Sequence, residues 1–202
     1  MKLLLLIVLT FMIGSIPFGT IIANMRGVAL KQVGSGNIGA TNVLRAVGVW
    51  PAVFTLIGDI AKGIAAIAIG KYFLGDTPLI GTIGFAAVLG HTHSLFLRFK
   101  GGKGVATSIG VLLLYVPKVA VITILIWIIV VILTRYSSLG AIIALGLLPL
   151  SILLFDFEKE KLIFSILIAV LILLKHSTNI KRLVSGKEPR IGAQKGTGSS
   201  SG

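Results

Sequence analysis

Seven apolar stretches, near residues 3–23, 50–70, 78–97, 104–117, 118–134, 138–155 and 161–175, leave this chain few ways to fold. A helix crossing the hydrocarbon core of a bilayer, about 30 Å thick, needs roughly 20 predominantly apolar residues, and most of these stretches approach that length. With 55% hydrophobic and 12% charged residues, the chain cannot show such a surface to water. Its solvent is a bilayer, and the expected fold is an all-α integral membrane protein. The first stretch opens like a signal peptide, with Lys2 before a leucine-rich run. Its apolar character continues to Ala23 and no A-x-A cleavage site follows, so it reads as the first transmembrane helix, kinked at Gly14-Ser15-Ile16-Pro17. With no cysteine in the chain, disulfides and thiol catalysis are excluded.

Charge settles the number of crossings and their direction. Joining 105–134 into one helix would give six spans and a rod of about 45 Å, long for the core. Seven spans with the N-terminus extracytoplasmic and the C-terminus cytoplasmic gather thirteen of the nineteen lysines and arginines on one side, against five on the other, with Lys62 inside a helix. Six spans would carry the basic C-terminal tail outside and spoil that asymmetry, which cytoplasmic loops are expected to show. The net charge of +13 is therefore assigned to loops facing anionic lipid, with no nucleic-acid partner. Residues 1–195 form a single transmembrane domain without internal repeats, and Gly196–Gly202 (GTGSSSG) reads as an expression-tag remnant.

This topology puts three polar, glycine-bearing stretches on the cytoplasmic face: 34–48 (GSGNIGATNVLRAVG), 90–107 (GHTHSLFLRFKGGKGVAT) and 175–192 (KHSTNIKRLVSGKEPRIG). The first matches G-x-G-x-x-G at Gly34–Gly39, but no strand precedes it and Asp59 lies in an apolar helix, so a dinucleotide fold is rejected. What survives is a backbone able to turn N–H groups toward an anion, with Ser35 adding a hydroxyl. A helix from Ile38 would set Thr41 and Asn42 on the face of Arg45, which is either a bidentate phosphate ligand or a positive-inside anchor. In the second, Gly101-Gly102-Lys103-Gly104 is not a P-loop, because glycine follows the lysine and no Ser or Thr does. The loop runs into a helix at Val105, whose N-terminus favours an anion; a basic loop that only enforces topology is the alternative. His91 and His93 are poorly spaced to chelate on a helix, and a chain with three histidines and six acids offers no metal site. In the third, His176, Asn179 and Arg182 follow one another at i, i+3 and would share a face if the helix continues. His176 near phosphate ligands is a candidate base, or an interfacial histidine. Asp59 and Lys62, also at i, i+3, read as an intramembrane pair, structural before a proton relay.

Taken together, SGNIGATNVLRAVG, GHTHSLFLRFKGGKGVAT and KHSTNIKRLVSGKEPRIG, with the weaker GSIPFG and DIAKG, resemble the bacterial acyl-phosphate:glycerol-3-phosphate acyltransferase family. The order and spacing of the motifs match over the whole chain up to the tail. Arg190 stands where a lysine is common, a change either cation tolerates. The resemblance implies a multi-pass enzyme of the bacterial cytoplasmic membrane, with its active site on the cytoplasmic face. It would move a fatty acyl group from acyl phosphate to the sn-1 hydroxyl of glycerol 3-phosphate, the first acylation of phospholipid synthesis, without cofactor or metal. The H-x-x-x-x-D motif of acyl-CoA-type acyltransferases is absent, since Phe96 lies five residues past His91 and Arg98 five past His93.

On this reading Ser35, Lys103, His176 and Asn179 are the catalytic candidates. Gly36, Asn37, Thr41, Asn42, Arg45, His91, Lys100, Gly101, Gly102, Gly104, Thr107, Arg182 and Glu188 are the substrate-binding candidates. Ser35, Gly36 and Asn37 with Lys103 would take the acyl-phosphate head. Arg45, His176 and Asn179 would hold glycerol 3-phosphate, and either His176 or the departing phosphate would take the hydroxyl proton. The acyl chain would lie between helices, open to lipid, in a monomeric protein. A transporter of an organic phosphate and a scaffold for anionic lipid are the other function classes. Neither the missing repeats nor the polar side chains beside the bases favour them.

Overall fold

Residues 1–192 are described by a computed structural model, and among them the chain is helical with no strand. The tail read as a tag remnant lies outside the described residues. The first span is two helices, α1 (Lys2–Ser15) and α2 (Phe18–Asn24), broken where Pro17 lacks an N–H to donate. The short α3 (Ala40–Ala46) leads to α4 (Val49–Leu74), whose 26 residues span about 39 Å. Next come α5 (Ile80–Thr92), α6 (Val105–Tyr115) and α7 (Pro117–Thr134). Val116, at φ −141° and ψ 69°, separates the last two, so 105–134 is two helices with Pro117 opening the second. The chain ends in α8 (Ser137–Gly146), α9 (Leu148–Phe155), α10 (Lys159–Lys175) and α11 (Ser177–Val184).

Among the described residues, four helical runs are long and apolar enough to cross a bilayer unaided: Lys2–Asn24, Val49–Leu74, Ile80–Leu97 and Pro117–Thr134. Two bent pairs, α8 with α9 at 43° and α10 with α11 at 59°, raise the number to six if each pair is one crossing. The bend before Pro149 and the one at His176 interrupt what the sequence suggests are continuous segments. The remaining expected span is α6, whose 11 residues cover only about 16 Å. Its N-terminal end is recessed. Gly104, which precedes it, packs on Val88 and Thr92 of α5 and Ile172 of α10, and Val88 lies about one helical turn below the end of its helix.

The helices meet closely where side chains are absent. A Cβ on Gly14 would sit 2.0 Å from the carbonyl oxygen of Ala87, and one on Gly90 would sit 2.1 Å from that of Phe11, which locks α1 onto α5. Gly63 against Thr107, and Gly110 against Ile60, do the same for α4 and α6. Such small-residue contacts let backbones approach in lipid, where no hydrophobic effect drives helices together. The main core, with Ile67, Val88, Leu112, Leu148 and Ile168, fills the bundle. Leu125, Ile129, Ile132, Leu167 and Val170 stay exposed on its periphery, the apolar belt a bilayer would cover.

Candidate active site

At the end of the bundle where α2, α5, α7 and α10 finish, the three polar stretches converge on a cavity of about 290 Å³. The 34–39 loop is shaped by Asn42. The side-chain amide of this buried residue donates to the carbonyls of Asn37 at 2.8 Å and Val33 at 3.1 Å, and its oxygen accepts the Ser35 N–H at 2.8 Å. Gly34, at φ +59°, lets that oxygen come close; a Cβ there would lie 2.2 Å from it. The loop thereby presents Ser35 and Asn37 to the cavity, and α3 presents Thr41 and Arg45. Arg45 reaches across to donate from Nη2 to the carbonyl of Pro189 at 3.0 Å.

The glycine loop supplies Lys103 and Gly104 to the same cavity. Lys103 is partly buried, and its ammonium donates to Oδ1 of Asn179 on α11. Burial lowers its pKa to about 8; Glu188 opposes that shift, and Arg182 and Arg45 add to it. The first N–H groups of α6 follow Gly104, with Val105 and Ala106 on the cavity wall. His176 caps α11. Its Nδ1–H donates to the Ile172 carbonyl at 2.8 Å, which leaves Nε2 as the nitrogen with a free lone pair. Asn179 keeps the face of His176 despite the bend between α10 and α11, and both line the cavity.

The C-terminal strap after α11 closes the ring. Glu188 is buried and accepts Asn179 Nδ2 at 2.7 Å and Ser138 Oγ at 2.6 Å on one oxygen, and Arg182 Nε at 2.7 Å on the other. Although burial pushes its pKa up, these hydrogen bonds hold it below the ordinary carboxylate value. A negative group thus sits among Arg45, Lys103 and Arg182 and limits their mutual repulsion.

Not every candidate reaches the cavity. Gly36, Gly101, Gly102 and Arg182 stand behind its wall, Lys100 is exposed, and Thr107 is buried in the α4–α6 contact with its hydroxyl unpartnered. His91 lines the wall while Nδ1 faces Asp59. Other lining residues escape the motifs. Ser137 lies 3.2 Å from Thr41, hydroxyl to hydroxyl, and Ser138 holds Glu188. Trp127 donates to the Ser137 carbonyl at 3.3 Å, and Asp59, from the weaker DIAKG motif, lines the cavity while paired with Lys62. The only sequence signal for the serines is a polar pair opening an apolar helix. Away from the polar end the wall is apolar, built by Leu56 and Ile60 of α4, Ile109 of α6, Ile124 of α7 and Leu145 of α8. One cavity therefore carries both a polar, cationic lining and an apolar one.

Residues 4–186 match the family model for glycerol-3-phosphate acyltransferase. The glycerol-3-phosphate acyltransferase of Carboxydothermus hydrogenoformans is 43% identical over 188 residues, covering 93% of this chain and 95% of that one. Its namesake in Aquifex aeolicus is 41% identical over 192 residues, 95% of this chain and all of the relative. Among solved structures, the crystal structure of PlsY (YgiH), an integral membrane glycerol 3-phosphate acyltransferase, in its glycerol 3-phosphate form superposes with a TM-score of 0.91 at 39% identity, over 95% of this chain and 96% of that one. Its lysophosphatidic acid form gives 0.88 at 38% identity over the same shares. Matched along nearly its whole length in sequence and in fold, the chain belongs to the glycerol-3-phosphate acyltransferase family.

Proposed function

We propose that the cavity joins acyl phosphate and glycerol 3-phosphate and releases 1-acyl-glycerol 3-phosphate and phosphate. One observation carries the reading: Ser35, Arg45, Lys103, His176 and Asn179, drawn from three distant stretches, line one cavity whose far wall is apolar. Both substrates carry phosphate, so the polar end must hold two anions, and the apolar wall suits the acyl chain. Ser35 and Asn37, with Gly36 shaping their loop, and Lys103 take the acyl-phosphate head. Arg45, with His176 and Asn179, takes glycerol 3-phosphate. Lys103, tied to Asn179, links the two groups.

The glycerol hydroxyl attacks the acyl carbonyl carbon, the new ester C–O bond forms, and the C–O bond to phosphate breaks with its electron pair leaving on phosphate. The hydroxyl proton goes to Nε2 of His176 or to the departing phosphate. Because phosphate leaves readily, the protein's main tasks are holding the two substrates in line and stabilising the developing oxyanion. Lys103 and the free N–H groups opening α6 serve the second task, a role supported by their lining the cavity.

The same reading makes residues 1–195 one catalytic domain and a monomer, crossing the cytoplasmic membrane seven times with the N-terminus out and the cavity facing the cytoplasm. It is supported by the basic residues that cluster at the cavity end and by the acidic Asp76, Asp156, Glu158 and Glu160 at the other. Purified protein given acyl phosphate and glycerol 3-phosphate, without metal or CoA, should release inorganic phosphate and form the monoacyl product. No release under those conditions would refute the reading.

A further inference from the structure

Asp59, Lys62 and His91 are buried titratable groups that the acyl transfer above leaves without a task. They form a chain. Lys62 Nζ donates to the Ile16 carbonyl, in the break between α1 and α2, at 3.0 Å, and stands 2.9 Å from Asp59 Oδ1. That oxygen faces His91 Nδ1 at 3.5 Å, a buried contact without a hydrogen bond. On its far side the His91 ring touches the glycine loop: a Cβ on Gly102 would sit 2.2 Å from His91 Nε2. The His91 backbone meets the same loop, its carbonyl accepting the Gly102 N–H at 2.9 Å and lying 2.0 Å from where a Cβ of Gly101 would be. The residue after Gly102 is Lys103. A structural ion pair would account for Asp59 and Lys62 alone; it gives no reason for a histidine wedged between the carboxylate and the loop.

We infer that Lys62, Asp59 and His91 form a positioning chain. It runs from the break in the first span to the glycine loop and fixes the seat on which Gly101 and Gly102 rest, so that Lys103 points into the cavity. The three are positioning residues, acting through Lys103. The consequence for catalysis rests on the reading of Lys103 as a phosphate ligand; the seating of the loop does not.

The test is a double-mutant cycle with a second readout that needs no turnover. Gly102→Ala drives a methyl group into the His91 ring, and His91→Ala removes the ring it strikes. Each single variant should lower kcat/KM about tenfold or more, and the pair should lose no more than the worse single, because contacting residues do not act additively. In parallel, the modification rate of Lys103 by an amine-reactive reagent, read by mass spectrometry on the intact purified protein, should rise several-fold in His91→Ala and stay unchanged at the exposed Lys100. Should His91→Ala fail to fold, His91→Gln enters the same two measurements, with a smaller rise expected. Losses that multiply, together with an unchanged Lys103 rate, would overturn the inference. A raised Lys103 rate with kcat/KM intact would leave the positioning chain standing and refute the role given to Lys103 in the reaction.

Discussion

Asn179 donates from Nδ2 to Glu188 Oε1 at 2.7 Å, while the oxygen of the same amide receives the Lys103 ammonium. The orientation of the amide is thereby settled. A carboxylate accepts only, so the NH₂ must face Glu188 and the oxygen must face the lysine.

Glu188→Gln disturbs that orientation. The new amide cannot accept from Ser138, Asn179 and Arg182 as the carboxylate does, and a buried partner left unpaired costs about 1–3 kcal/mol. We expect a lower unfolding midpoint in detergent and a lower kcat/KM, with Asp in place of Glu restoring part of the stability. A variant with wild-type midpoint and turnover would show that the strap does not organise the site.

Lys103 should impose an alkaline limb on the reaction. On the proposed reading its charged form binds phosphate, and burial lowers its pKa to about 8. The cation is therefore present below that value and is lost as pH rises through it. The pH profile of kcat/KM, which reports groups of the free enzyme, should fall above about pH 8. Lys103→Arg, charged throughout, should abolish that fall even if its overall rate is lower. An unchanged limb in the arginine variant would assign the titration elsewhere.

Arg45→Lys keeps the charge and loses the planar fork, together with a donor to the Pro189 carbonyl. KM for glycerol 3-phosphate should rise about tenfold with little change in KM for acyl phosphate. Steady-state kinetics with each substrate varied in turn decide the point, and an unaltered KM for glycerol 3-phosphate would remove Arg45 from that pocket.

For His176, both Ala and Gln variants should lower kcat by about 10²-fold if Nε2 takes the hydroxyl proton, the lower end of what general-base catalysis contributes. Near-wild-type turnover with only a raised KM in both would assign the proton to the departing phosphate.

Much of this was legible before any coordinates. Hydropathy located the apolar helices, though not how many of them cross, Pro17 marked the break between α1 and α2, and i, i+3 spacing paired Asp59 with Lys62. Glycines beside cations picked out the loops that meet at the cavity. What stayed hidden depends on contacts between residues far apart in the chain. Ser138 and Glu188 are 50 positions apart and meet only because the strap folds back over α8. Asn42 reads as a substrate ligand from its helical spacing with Arg45, yet its amide is fully engaged by the loop before it. The bend at His176 leaves no composition signal, since neither proline nor glycine stands there. The apolar wall looks in sequence like any other lipid-facing helix surface.

The recessed start of α6 has a consequence for the medium in which the enzyme works. Counter-ions screen exposed charges over a Debye length of about 8 Å at physiological ionic strength, but reach buried groups poorly. Lys100 is exposed and feels added salt fully, whereas Lys103, next to the Gly104 that packs on α5 and α10, is partly sheltered. On the proposed reading, a phosphate held at Lys103 loses less to rising ionic strength than one collected by a basic surface patch. A salt series should therefore raise KM for acyl phosphate, the substrate assigned to Lys103, less than KM for glycerol 3-phosphate, which is assigned to the exposed Arg45.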